Sequence, residues 1–253
     1  MDGDGERGTA VIPDAGLMWA IVAVTFAAMM AGRFLVRRFR IHWRPIPAYR
    51  TLPTLAADAV ESAKRVHFSL GSSAVGETST LAALVSAEVV YRLAERLAIS
   101  RQLPLVTLSH PVTLALAQDT LRRAYLYRRT LDWYRSSAVA WYPAGVAFAV
   151  GAASLSADID ADSNVLLGRF GPELAFLGES ALRHNQALIA HSDLLEGQAI
   201  AFAQANEVLL GEELYAGPAY LGGTALERGS VLAQDVLRWL VIVGIVLAAL
   251  QTI

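Results

Sequence analysis

The chain has 253 residues, 55% of them hydrophobic, with no cysteine and a formal charge of −2. That apolar share exceeds the roughly 45–50% of soluble domains before glycine is counted, so part of the chain belongs in lipid. The near-neutral charge lacks the basic field that nucleic acid requires, and the missing cysteine excludes disulfides, Fe–S clusters, Cys-ligated zinc and thiol catalysis. Lys64 is the single lysine and precedes the first strand, the wrong end of a parallel sheet for a Schiff base or a phosphate-binding lysine.

Residues 1–14 carry Asp2, Asp4, Glu6 and Asp14 against Arg7 and read as an external tail without a core. Residues 15–32, AGLMWAIVAVTFAAMMAG, are uncharged and almost wholly apolar, close to the minimum of about 17–20 positions that crosses a bilayer. A signal peptide carries its positive charge ahead of the apolar run. Here Arg33, Arg37, Arg38, Arg40, Arg44 and Arg50 follow it, so the segment reads as an uncleaved transmembrane helix. Those arginines hold their side in the cytoplasm and mark 33–65 as a basic juxtamembrane linker. Residues 236–253, VLRWLVIVGIVLAALQTI, read as a second transmembrane helix, with Arg238 and Trp239 at an interfacial position and no polar face from Leu240 to Leu250. The expected topology is a cell (inner) membrane protein with two spans in the lipid bilayer, a cytoplasmic central domain and both termini outside. Ala28-x-x-x-Gly32 and Gly244-x-x-x-Ala248 permit close helix contact and leave oligomeric state open, a homo-oligomer included.

Between the spans, over 66–230, short apolar runs alternate with helix-sized stretches. The runs are Val66 to Gly71, Leu105 to Ser109, Ala138 to Tyr142, Val165 to Gly168, Ala187 to His191 and Val208 to Gly211. Strands apolar on both faces and separated by helices predict a parallel sheet of about six strands covered on both sides, a Rossmann-like α/β domain. Leu81, Val85, Val89, Leu93 and Leu97 recur at steps of four, and Glu88 precedes Arg92 by four, which predicts the first crossover helix. A second helix follows His110-Pro111, carrying Leu114, Leu121 and Tyr125 toward the sheet. Residues 144–155 are apolar but too short to span, and read as a buried helix. Gly171-Pro172-Glu173 opens a fourth helix, and Asp193-x-x-Glu196 reads as a capping box for a fifth.

The stretches HFSLGSSAVGETSTLA at 67–82, GRFGPELAFLGESA at 168–181 and EVLLGEELYAGPAYLGG at 207–223 resemble an uncharacterised family of bacterial and archaeal membrane proteins, a domain of unknown function. With the flanking spans the resemblance covers most of the chain. It implies an architecture, and because the family has no established activity it implies no catalytic residue and no cofactor.

Ligands of open parallel sheets sit beyond the carboxyl ends of the strands, so the candidate ligand-binding residues are those that follow each run. They are Gly71, Ser72, Ser73, Gly76, Glu77 and Thr78 after the first, Ser109 and His110 after the second, Gly168 and Arg169 after the fourth, His191, Ser192 and Asp193 after the fifth, and Glu212 and Glu213 after the sixth. Gly71 to Thr78 has Walker A spacing, but Glu77 stands where the lysine belongs and repels a polyphosphate; G-x-G-x-x-G is unmatched. The glycines serve either a tight turn with close strand–helix packing or the approach of a ligand to a helix N-terminus. On the second reading a small polar or ribose-containing ligand, rich in acceptors, suits the first helix's free N–H groups, with His110, His191 and Glu212 completing one pocket. His110, His191, Asp193, Glu212 and Glu213 are ligand types for a divalent cation, yet no spacing such as H-E-x-x-H supports a metal. Asp158, Asp160 and Asp162 imitate an EF-hand start without its glycine or its glutamate and read as a solvated loop. G-x-S-x-G is absent. Two classes remain: a membrane-tethered module that binds a small ligand or acts as a scaffold, and a small-molecule enzyme, hydrolase-like, using a His/Asp/Glu rim.

Overall fold

The computed structural model describes residues 15–38 and 44–251 and divides into two compact units, one of 43–222 and one built from the terminal segments. The expected tail at 1–14 lies outside the described residues.

In the terminal unit, α1 (Ala15–Arg38) packs against α9 (Ala225–Gln251). A Cβ on Gly32 would stand 2.6 Å from the carbonyl oxygen of Gly229, so the helices touch backbone to backbone there. Gly32 makes a close contact of the kind its spacing permits, while Gly244 has no neighbour within 4 Å. Its place is taken by Gly229, because α9 begins upstream of the apolar stretch that marked it in the sequence. Among the described residues one helix, Ala225–Val246 within α9, is long and apolar enough to cross a membrane. The described apolar stretch of α1, Val22–Phe34, is shorter.

The other unit holds six parallel strands in the order β3-β2-β1-β4-β5-β6: β1 Arg65–Gly71, β2 Leu105–Leu108, β3 Val139–Trp141, β4 Ala161–Arg169, β5 Ala187–Ser192 and β6 Glu207–Val208. The order runs outward from β1 to β3 and returns to place β4 on the other side of β1, which sets the topological reversal at the β1–β4 pair. Helices α2 (Pro47–Glu61), α3 (Thr80–Leu97) and α4 (Pro111–Tyr127) pack side by side, with the short α8 (Gly217–Tyr220) against α3; α5 (Val146–Asp158), α6 (Leu174–Arg183) and α7 (Leu195–Gln204) pack likewise, and the two layers cover the two faces. The second layer is closed by Phe148, Leu166, Phe170, Leu174, Leu177 and Leu188, all nearly or fully buried, with the Phe148 and Phe170 rings 6.3 Å apart.

Three local readings differ. Residues 47–61, expected within a linker, form α2, which opens on Pro47 at its first turn, keeps Pro53 inside, and buries Ala48, Tyr49, Leu52, Ala56 and Ala59. Strand β4 starts at Ala161 rather than Val165, because Asn164, polar in sequence, is buried and hydrogen-bonded. Helix α7 starts at Leu195 with no side-chain cap from Asp193; Ser192 Oγ instead accepts the Leu194 N–H. The 144–155 run forms α5 with one buried face, Phe148, Ala149, Ala152 and Ser156, and Val146 and Val150 exposed.

Through the sheet runs a buried polar chain. Asn164 Nδ2 donates to Gln186 Oε1 (2.7 Å), so Asn164 Oδ1 accepts, from His67 Nδ1 (2.7 Å) and from Ser156 Oγ (2.8 Å). His67 Nε2 then accepts from Thr107 Oγ1 (2.8 Å). Burial lowers the His67 imidazole to about 4, keeping the ring neutral, and the bond to Asn164 Oδ1 fixes that tautomer.

Candidate functional site

All the candidate side chains lie at one edge of the sheet, but they fall into two groups. The first surrounds the β1–β4 reversal. Pairing shifts between Ser69 and Gly71 against both neighbouring strands, and this double bulge turns the chain out of the sheet. Gly71 has φ +58°, and a Cβ there would collide with the Arg169 carbonyl oxygen and press on the Phe170 ring; this position requires glycine for packing. Ser72 N–H and Oγ both donate to the Arg169 carbonyl (2.8 and 3.0 Å), and Ser73, fully buried, accepts the Arg169 N–H at Oγ (2.8 Å). Ser109 N–H and Oγ donate to the Gly71 carbonyl (2.8 and 3.3 Å). These serines clamp three strand ends together.

The rest of the loop is also bonded to itself. Ala74 N–H donates to Ser79 Oγ (2.9 Å) and Gly76 N–H to Thr80 Oγ1 (2.8 Å), so hydroxyls of the chain occupy loop donors that an acceptor-rich ligand would need. Gly76, at φ +95°, has nothing within 4 Å of a built Cβ: it turns the chain in open space and marks no close approach. Arg169 Nη1 donates to Thr78 Oγ1 (2.8 Å), and His110 Nε2 lies 3.5 Å from Glu77 Oε1. His110 Nδ1 is buried without a partner. Gly71, Ser72, Ser73, Gly76, Glu77, Thr78, His110 and Arg169 therefore do converge.

The second group lies beyond β5 and β6. A cavity of about 290 Å³ is lined by His191, Ser192, Asp193, Leu194, Leu195, Gln198, Gly211 and Tyr215, and by none of residues 71–78. The single pocket expected from strand ends is thus two neighbouring places, because the β1 loop folds onto β2 and β4 while the 3₁₀ segment Gly211–Ala216 closes over β5. His191 is 1% exposed. Its Nδ1 is 2.9 Å from the Leu209 carbonyl, which can only accept, so Nδ1 carries the proton. Its Nε2 is buried and has no hydrogen-bond partner. Burial lowers the imidazole, against the raising effect of the Leu209 bond, Asp193 and Glu213, so the ring is neutral and Nε2 is an acceptor.

Around that atom the other polar groups are committed. Ser192 Oγ donates to the Phe170 carbonyl and accepts from the Phe170 and Leu194 N–H groups. Gln198 accepts from Ser192 N–H and donates to the Leu209 carbonyl. Asp193, at the rim, has its carboxyl raised by burial, opposed by Arg169 and His191. Glu212 does not line the cavity; its neighbour Glu213 accepts the Leu210 N–H (2.9 Å) and pairs with Arg44 (3.6 Å). Among the described residues no group of three His, Asp or Glu side chains is placed to hold a metal ion. Tyr215, Gln198 and Gly211 were missed in the sequence: Tyr215 and Gly211 sit in a 3₁₀ segment that carries no periodic signal, and Gln198 lies inside a helix.

No curated protein and no solved structure matches the chain. A family model does, over residues 12–253, and the chain belongs to that family, described as a domain of unknown function (DUF6754).

Proposed function

We propose that the protein is a membrane-tethered α/β module that binds a small polar ligand at the carboxyl edge of its sheet. One observation carries the reading: a cavity at the end of β5 and β6 lined by His191, whose buried Nε2 has no hydrogen-bond partner. A buried acceptor without a donor costs about 1–3 kcal/mol, and a bound ligand that supplies the donor recovers it.

The tether follows from the two terminal helices. We read α1 and α9 as antiparallel spans in the inner membrane, the arginines that follow the apolar stretch of α1 holding the sheet domain in the cytoplasm and leaving both termini outside. Reporters fused at residue 160 and at Ile253 should report opposite sides; an external reporter at 160 overturns this topology.

The binding reading is tested by thermal shift on the detergent-solubilised full chain against small neutral, anionic and cationic polar compounds. A ligand at 100 times its Kd stabilises by about 2.7 kcal/mol, a shift of a few degrees. The expected result is a shift with one class that His191→Asn abolishes. No shift with any class, and no small molecule carried through purification, overturns the reading.

A further inference from the structure

Independently of the β5–β6 cavity, we infer that the amino edge of the sheet carries a second site, a pocket between the loops leading into β2 and β3 that takes the phosphate group of a small soluble phosphate monoester. Its position follows from the strand register. Arg101 stands four residues before Leu105 and Arg135 four before Val139, and β2 and β3 run parallel with Val106 beside Val139, so the two loops emerge together. They enclose a pocket of about 410 Å³ lined by Arg101, Leu103, Asp132, Trp133 and Arg135, within the roughly 300–1,000 Å³ of small-molecule sites.

Two guanidinium groups stand there without a carboxylate partner. The Arg101 guanidinium carbon lies over the Trp133 ring, 5.6 Å from its centroid, and among the described residues this side chain has no hydrogen bond and no carboxylate within 4 Å. Arg135 is fixed by its own loop: Nη1 donates to the Asp132 and Tyr134 carbonyls (2.6 and 2.8 Å), and Nε and Nη2 have no partner among the described residues. Elsewhere in the sheet domain Arg44, Arg92, Arg122, Arg123 and Arg183 each pair with an acidic side chain at 2.7 to 3.6 Å. The surroundings add to the field, because residues 95–135 hold seven arginines against Glu95, Asp119 and Asp132 in a chain whose formal charge is −2.

Geometry selects the anion. Two forks on separate loops suit a tetrahedral phosphate, which offers oxygens to both at once, whereas one fork already fills a planar carboxylate. Asp132 repels a bare polyanion and accepts from a hydroxyl, so the phosphate belongs to a hydroxylated body whose carbon atoms rest on Leu103. The source is soluble rather than a lipid headgroup, because the chain joins its terminal helices at the other edge. There Tyr220 Oη donates to the Arg44 carbonyl, and Tyr49 Oη donates to the Glu213 and Leu214 carbonyls of the segment that closes over β5.

The test is titration calorimetry on the full chain in phosphatidylcholine nanodiscs, with glycerol 3-phosphate, inorganic phosphate and tetraglutamate as probes, together with the indole N–H resonance of Trp133. Arg101→Gln and Arg135→Gln each remove one guanidinium from the pocket; Arg129→Gln removes the same charge from the same surface outside it. Arg101 is exposed and holds no hydrogen bond, so its replacement leaves the fold intact. The expected result is that glycerol 3-phosphate binds and moves the Trp133 resonance, that inorganic phosphate binds more weakly, and that each pocket variant lowers the affinity about tenfold or more while Arg129→Gln lowers it less than about threefold. No binding of either phosphate at about 10 mM overturns the site. Equal losses in all three variants, or tetraglutamate binding as tightly, overturn it in favour of a diffuse basic field. Affinity that falls with His191→Asn and not with Arg101→Gln places the ligand in the β5–β6 cavity and also overturns it. Nanodiscs containing phosphatidic acid separate the sources: the lipid should leave both the affinity and the Trp133 resonance unchanged, and a lipid that moves the resonance and excludes glycerol 3-phosphate overturns the soluble assignment.

Discussion

At the β1–β4 reversal the outward polar groups bond to one another: Thr78 to Arg169, Glu77 beside His110, Ser72 and Ser73 to the Arg169 backbone. At the β5–β6 end, a few residues along the same edge, Ser192 and Gln198 are satisfied while His191 Nε2 is not, and a cavity opens beside it. Both places obey the rule that ligands gather beyond strand carboxyl ends, and each keeps one buried imidazole nitrogen without a partner, His110 Nδ1 at the reversal and His191 Nε2 beside the cavity. The loop that looks most like a phosphate cradle in sequence works as a clamp on three strands.

This contrast can be broken most severely from beneath. Asn164→Leu removes the acceptor shared by His67 Nδ1–H and Ser156 Oγ and the donor to Gln186, taking a partner from three buried groups; a loss of roughly 3–5 kcal/mol in urea denaturation is expected. A loss below 1 kcal/mol would mean the network contributes little. The same histidine sets a pH window. Unfolded imidazole protonates near 6.5 and buried His67 near about 4, so between those values the unfolded chain binds more protons and stability rises with pH. About 3 kcal/mol should be lost as pH falls from 6.5 to 4, with His191 adding in the same direction; His67→Gln should flatten the curve, and an unchanged slope contradicts the assignment.

The clamp is sharpened by a pair of glycines. Gly71→Ala drives a Cβ into the Arg169 carbonyl and should cost about 3 kcal/mol, whereas Gly76→Ala, strained at φ +95° but in open space, should cost about 1 kcal/mol. Equal losses would make the loop's turn, rather than its packing on β4, the important feature. Smallest of all, Thr78→Val removes an exposed hydrogen bond to Arg169 and should change stability by about 0.5 kcal/mol or less. A larger loss in thermal melts would show that the reversal depends on that contact.

Much of this was legible in the residues. Apolar runs marked β1, β2, β3 and β5, and the step-of-four pattern marked α3, whose Glu88–Arg92 pair forms at 2.8 Å. The hidden parts are those where local signal opposes tertiary use: Pro47 and Pro53 disguised α2, and Asp162, Ser163 and Asn164 disguised the start of β4. His67 stood inside an apparent apolar strand with partners up to 97 positions away. Strand ends named His191 and Asp193, but only folding determines which ring nitrogen is met, because Leu209 lies 18 positions on.

The most direct test is histidine-resolved ¹⁵N NMR of the full chain, following His110 and His191 while the neutral, anionic and cationic polar compounds of the thermal-shift series are added. The account predicts that His191 begins as the Nδ1–H tautomer with an unprotonated Nε2, and that this Nε2 resonance moves on binding while His110 stays still. Movement of His110 with His191 unchanged would place the ligand at the β1–β4 reversal and contradict the account.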